Sequence, residues 1–235
     1  NQSDEKISFN SGFRVTDMEP EWWNPMNGSI HALPEYQQSG NSIFMPLVLE
    51  PYESGFVVFV NKARQAETNS NFPDYSVTKE IDTPWEVNFV SPFDERFSLT
   101  MDRLQDWSES ENEQLKYFSG TAVYQTSFEL EELPGKNTFL RFGDLSAIAQ
   151  ITVNEQIAGG LWTPPWRIDV SGLLKTGENT IEIEVANTWN NRLVKDESLK
   201  EGERKTWLTY NTFKPNTPLK KSGLIGPVVI EIINE

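Results

Sequence analysis

Three tryptophans, two asparagines and an arginine are the residues of this chain best equipped to bind a ligand. Trp162, Trp166 and Trp189 fall in or beside connections rather than in the centres of alternating strands. Trp189-Asn190-Asn191-Arg192 sets an aromatic plate, two amides and a guanidinium in four consecutive residues. A flat ring can take the C–H face of a polyhydroxylated ring, while amide and guanidinium groups satisfy its hydroxyls. The competing role for each tryptophan is to plug one end of a sandwich, where an indole buries a large apolar area. The residues alone leave both roles open.

Other chemistry is less well supplied. Glycoside hydrolysis needs two carboxyl groups, one protonated and one ionised, at a set separation. Thirty-five Asp and Glu side chains offer so many pairs that no pair stands out. Loop carboxylates and amides are also the ligands a structural calcium would take. Asp82, Asp144 and Asp169 could contribute, although no EF-hand pattern is present and solvated surface is the plainer reading. His31 is the only histidine, so zinc sites built on several histidines are excluded, and so are most acid–base relays. A Ser-His-Asp site is left without the G-x-S-x-G elbow that would support it. Gly159-Gly160 is not followed by a helical pattern, so it is not a phosphate loop. With no cysteine, disulfides, thiol catalysis and cysteine metal sites are excluded outright.

The elements that must position these residues read as strands. Ile148–Val153 alternates, Asn154-Glu155 turns the chain, and Gln156-Ile157-Ala158 returns it as a hairpin. Pro164 and Pro165 keep the Leu161–Trp166 stretch from forming regular ladder bonds. Arg167–Val170 is a short strand. Thr180–Val185 alternates strictly, with Ile181, Ile183 and Val185 on one face and glutamates on the other. Further strands are expected at 85–89, 96–101, 120–128, 138–142 and 226–233, and another at Thr206–Tyr210 after a long polar loop. Glu109–Gln114 reads as an acidic loop. Upstream, residues 7–15 form a strand interrupted at Asn10-Ser-Gly12, and strands follow at 29–33, 42–49 and 55–60. The polar run from Lys62 to Lys79 marks a connection. The expected organisation is all-β, with a small antiparallel β domain over 1–65, a linker over 66–79, and a jelly-roll β-sandwich over 80–235.

Composition narrows the partners. Twenty basic against thirty-five acidic residues give a net charge of −15, which argues against nucleic acid and anionic membrane. Apolar runs such as Phe56–Val60 are far too short for a spanning helix. No signal peptide opens the chain, and its start without Met reads as that of a processed or excised piece.

Gly120-Thr-Ala-Val-Tyr124, Ile151-Thr-Val-Asn154, Pro165-Trp-Arg-Ile-Asp-Val170 and Gly177–Asn187 resemble the sugar-binding (galactose-binding-like) jelly roll of family 2 glycoside hydrolases. Asn187-Thr-Trp-Asn-Asn-Arg-Leu193, Thr206-Trp-Leu-Thr-Tyr210 and Ser222-Gly-Leu-Ile-Gly-Pro-Val228 are similar to the carboxy-terminal region of glycoside hydrolase family 106, the α-L-rhamnosidases. Glu21–Gly28, Pro46–Pro51 and Phe56–Phe59 resemble the β-region that precedes that jelly roll. The resemblance implies an exported, periplasmic or extracellular protein that degrades polysaccharide, in which a separate barrel carries the catalytic glutamates and calcium. No strand–helix alternation of a barrel is present, so no catalytic residue carries over. By analogy with family 2 enzymes, Asn190 and Asn191 approach a bound sugar, with Trp189 and Arg192 shaping the loop. Three functions remain in competition. The first is a non-catalytic carbohydrate-associated module, partnered by the barrel of its parent and by plant-polysaccharide fragments. The second is a packing domain with no ligand, and the third a self-contained glycosidase.

Overall fold

Side chains that alternate every second residue decide most of this architecture, because each strand then has one face to bury. The computed structural model describes residues 1–66, 68–93 and 95–234. Its first strands are β1 (Ile7–Phe13), β2 (Glu19–Trp23), β3 (Ile30–Ala32), β4 (Gln37–Ser39), β5 (Ser42–Leu49) and β6 (Phe56–Val60). There follow β7 (Tyr75–Glu80), β8 (Trp85–Val90), β9 (Arg96–Met101), β10 (Thr121–Leu130), β11 (Thr138–Ser146) and β12 (Ile148–Val153). The last are β13 (Gln156–Leu161), β14 (Arg167–Asp169), β15 (Gly177–Ala186) and β16 (Gly223–Ile233). Among the described residues two short α-helices, α1 (Glu113–Lys116) and α2 (Asn190–Glu197), and two 3-10 turns, Trp107–Glu109 and Glu201–Glu203, interrupt the series.

The chain divides into two compact units. One comprises Asn1–Ser76 with Thr163–Pro165 and the chain end from Ile233; the other comprises Val77–Trp162 and Trp166–Ile232. The stretch 66–79, read from sequence as a connection, ends in strand β7.

Two three-stranded sheets, ordered β1-β5-β4 and β3-β2-β6, build the first unit. Trp22, Leu33, Ile43, Met45 and Leu47 form its core. The break expected at Asn10-Ser-Gly12 does not occur: β1 pairs continuously with β5 from Ile7↔Leu49 to Phe13↔Ile43. Gly12 serves close packing there, since a Cβ would stand 2.7 Å from the Phe44 ring.

The second unit is a β-sandwich of two antiparallel sheets. A six-stranded sheet runs β13-β12-β15-β10-β8-β9, and a four-stranded sheet runs β14-β11-β16-β7. On β10 the buried set is Ala122, Tyr124, Phe128 and Leu130, and on β15 it is Asn179, Ile181, Ile183 and Val185. Leu140 and Phe142 of β11 and Val228 and Ile230 of β16 belong to the same core. Burying each large apolar side chain contributes about 1.5–3 kcal/mol, so this alternation is the main source of the unit's stability. The β12–β13 hairpin turns at Asn154 (φ 49°) and Glu155 (φ 65°), the two left-handed positions of a type I′ turn.

Three local expectations give way. The stretch after Trp189 is helix α2 rather than loop, the end of the acidic loop, Glu113 and Gln114, opens helix α1, and Thr206–Tyr210 is irregular rather than a strand. The last pairs with no strand among the described residues and bonds through its first residue to a buried carboxylate on α2.

Candidate functional site

Strand register brings three connections to one end of the six-stranded sheet. Thr121, the first residue of β10, pairs with Val90, the last of β8, and with Ala186, the last of β15. The β8–β9 connection, the approach to β10 and the exit from β15 therefore open side by side. Short bonds fix them: the Asn187 N–H donates to the Gly120 carbonyl at 2.9 Å and its side-chain amide to the Phe118 carbonyl at 3.0 Å. The Ser119 hydroxyl donates to the Thr188 carbonyl at 2.8 Å.

Between them lies a hollow of about 310 Å³ whose lining includes Phe93, Glu95, Glu113, Tyr117, Arg192 and Lys195. That volume is at the small end of ligand pockets. Its floor is aromatic and its charges are paired. Trp189 meets Phe93 edge-on at 5.5 Å, and the Arg192 guanidinium lies 5.7 Å from the same ring. Lys195 Nζ stands 4.9 Å from the Tyr117 ring centre and donates to Glu113 Oε2 at 2.7 Å. Lys205 pairs with Glu95. Lys195 holds the Glu113 carboxyl below the usual carboxylate range, through its hydrogen bond first and its charge second.

Helix α2 ties this end together from within. Asp196 is buried, and its Oδ2 accepts the N–H of Lys205 at 3.1 Å, the N–H of Thr206 at 2.8 Å and the hydroxyl of Thr206 at 2.6 Å. Its Oδ1 lies 3.0 Å from Nη2 of Arg192, one turn earlier on the same face. Asn191, also buried, donates to the Lys220 carbonyl at 2.7 Å and accepts the Lys220 N–H at 2.9 Å. One helix thus holds both feet of the irregular strap that runs from Lys205 to Ser222.

Of the residues picked from sequence, Trp189, Asn190, Asn191 and Arg192 come together here, and Trp162 and Trp166 do not. Trp189 is 43% exposed beside Phe93. Asn190 donates to Asn191 Oδ1 at 3.2 Å. Arg192 lines the hollow, whereas Asn191 is turned to the strap. Trp162 follows β13, the edge strand two places from β15, and is 61% exposed. Trp166 packs against the core and donates from Nε1 to Asp144 Oδ1 at 3.0 Å. Asp144 also takes Lys221 Nζ at 3.0 Å, and that bond raises the lysine above its ordinary value. Among the described residues no three His, Cys, Asp or Glu side chains converge as a metal-binding group would. No helix among them is long and apolar enough to cross a membrane.

Sequence reasoning missed Phe93, Glu95, Glu113, Tyr117 and Lys195. They lie far from Arg192 in the chain, Lys195 excepted, and meet it only through strand order and the turn of α2. Signals were present but unspecific: Phe93 follows Pro92 in a turn, and Tyr117 precedes the alternation of β10.

Residues 99–220 match the family described as glycosyl hydrolase 2 galactose-binding domain-like. A protein of Formosa agariphila that is provisionally named a beta-glucuronidase is 37% identical over 177 residues, which cover 64% of this chain and 15% of that protein. The solved structure of a rhamnosidase from Novosphingobium sp. PP1Y matches 98% of this chain and 22% of its own, with 32% identity and a TM-score of 0.84. The chain therefore spans less than a quarter of either relative.

Proposed function

Since the chain belongs to the glycosyl hydrolase 2 galactose-binding domain-like family, we propose that it is the non-catalytic, carbohydrate-associated β-sandwich portion of an exported α-L-rhamnosidase-like glycoside hydrolase. In this reading it is the carboxy-terminal region of a family 106 protein and supports or completes a sugar site whose catalytic groups lie on another domain. The observation that carries the proposal is the hollow beside α2, lined by Phe93 with the 43% exposed Trp189 against it, where Glu113 and Glu95 are each ion-paired. Hydrolysis needs a carboxyl group whose proton is held up to near-neutral pH. Glu113 is shifted the other way by Lys195, and Glu95 is paired with Lys205. Such a site can hold a ring and its hydroxyls but has no acid to offer.

Trp189, Asn190 and Arg192 are the proposed sugar contacts at this end, and Asn191 the residue that positions them. Trp162 is a proposed contact on the β13 edge, with Trp166 setting the direction of its loop. The near full-length match to a rhamnosidase supports the choice of parent. The test is calorimetric titration of the chain with rhamnose-bearing oligosaccharides, run beside Trp189→Ala, together with an aryl-rhamnoside assay. Binding weakened by Trp189→Ala and no turnover are expected. Turnover by this chain alone would refute the non-catalytic assignment, and silence to every saccharide would leave a packing domain in its place.

A further inference from the structure

The strap held by Asp196 and Asn191 carries a second hollow, of about 400 Å³, on the other flank of α2. Leu193, Glu197, Arg204, Thr206, Trp207 and Asn211 line most of it. Trp207 and Tyr210 are each 83% exposed. Two large rings are thus left in water rather than buried in the core. Yet the strap is not slack at this point. Thr206, the residue before Trp207, gives both its N–H and its hydroxyl to the buried Asp196 carboxylate at 2.8 and 2.6 Å. The indole is therefore presented from a fixed backbone beside a preformed hollow.

We propose that this hollow is a second carbohydrate-binding site, with Trp207 as its stacking platform, and that it takes a neutral saccharide rather than a uronate. The inference rests on the carbohydrate reading above and names the ligand class at a separate place. Two observations choose the ligand. The fully buried part of a protein–protein interface is depleted of charge. Here Trp207 shares the hollow with the Arg204–Glu197 pair, closed at 2.8 Å, and with Asn211. Those are groups suited to hydroxyls rather than to an apolar protein surface. The cations are also engaged: Arg204 with Glu197 and Lys205 with Glu95. A carboxylate-bearing sugar would have to displace one of these partners while entering the field of a chain of net charge −15. A neutral sugar displaces nothing.

The experiment is calorimetric titration of the 235-residue chain with neutral oligosaccharides containing rhamnose, galactose or glucose, and with uronate oligomers of equal length. Trp207→Ala and Trp189→Ala are titrated beside it, with circular dichroism confirming the fold of each. The expected result is binding of a neutral oligomer that weakens roughly tenfold with Trp207→Ala, together with at least tenfold weaker binding of the uronate series. Binding lost with Trp189→Ala and unmoved by Trp207→Ala overturns this inference and leaves the first hollow standing. Tighter binding of uronates overturns the choice of ligand. Silence to every saccharide overturns both sites. The second site is also overturned if Trp207 becomes protected only when the chain is joined to further domains, because the indole is then a docking residue.

Discussion

Replacing Asp196 by alanine tests whether α2 is the fastening of this end of the sandwich. Its carboxylate takes three donors from Lys205 and Thr206 on Oδ2 and faces Arg192 Nη2 at 3.0 Å across Oδ1. Hydrogen bonds to a charged acceptor contribute about 1.5–3 kcal/mol each. They do not simply add, because Lys205 is exposed and Thr206 half-buried, so the freed donors can reach water. The larger loss comes from Arg192, whose side chain is only 13% exposed and would keep a charge without its partner. Breaking a buried pair from one side costs about 3–5 kcal/mol. For a domain of this size each kcal/mol moves the melting temperature by roughly 2–4 °C, so the unit containing α2 should melt roughly 6–20 °C lower. The two units can melt separately, so the assay is a circular dichroism melt combined with amide exchange at Lys205 and Thr206. Asp196→Asn, which keeps an acceptor, should lose less. A melting point within about 1 °C of the parent, with the two amides still protected, would refute the reasoning, since even the low end of the expected shift is several degrees.

Two further outcomes follow from the core. Gly223→Ala should destabilise the second unit by about 2–5 kcal/mol in a denaturant titration, because φ is +86° and the new Cβ would stand 2.2 Å from the Trp107 ring. Tyr124 is buried, its hydroxyl oxygen accepts the Leu224 N–H at 3.1 Å, and burial pushes the phenol above its ordinary value of 10.0. Its folded value is raised, so its contribution is whole below pH 10.0 and declines as the pH climbs beyond that. Alkaline titration followed by near-ultraviolet absorbance should show at least one of the six tyrosines ionising only as the chain unfolds, and Tyr124→Phe should remove that late component.

How much of this could be read from sequence depends on where the stabilising interactions lie. Ile181, Ile183 and Val185 announce β15 because every second side chain enters the core, and Asn154-Glu155 announces a hairpin because the pair sits as a short polar break between two alternating runs. Such information is local. Helix α2 was illegible for the opposite reason. It is only eight residues long, starts on two asparagines with no side-chain cap, and buries Asn191, Val194 and Asp196, of which only Val194 is apolar. Isolated helices of that length are marginal in water, so this one depends on hydrogen bonds to Lys205, Thr206 and Lys220. The hollow was illegible likewise, since Phe93, Tyr117 and Arg192 become neighbours only when β8, β10 and β15 lie side by side.

The pattern of charge pairing separates a supporting surface from a catalytic one more sharply than the number of carboxylates does. Three cations at this end, Lys195, Arg204 and Lys205, each face a glutamate, and Arg192 faces Asp196. Lys195 holds the Glu113 carboxyl below the usual carboxylate range, which is the wrong direction for a proton donor. Pairing of this kind also neutralises the ends of long side chains that would otherwise attract an anionic ligand. Recognition, on the proposed reading, falls to Trp189 at one flank of α2 and to Trp207 at the other, 43% and 83% exposed. On the proposed reading this end of the sandwich contributes position and contact, and the proton must come from a different part of the parent enzyme.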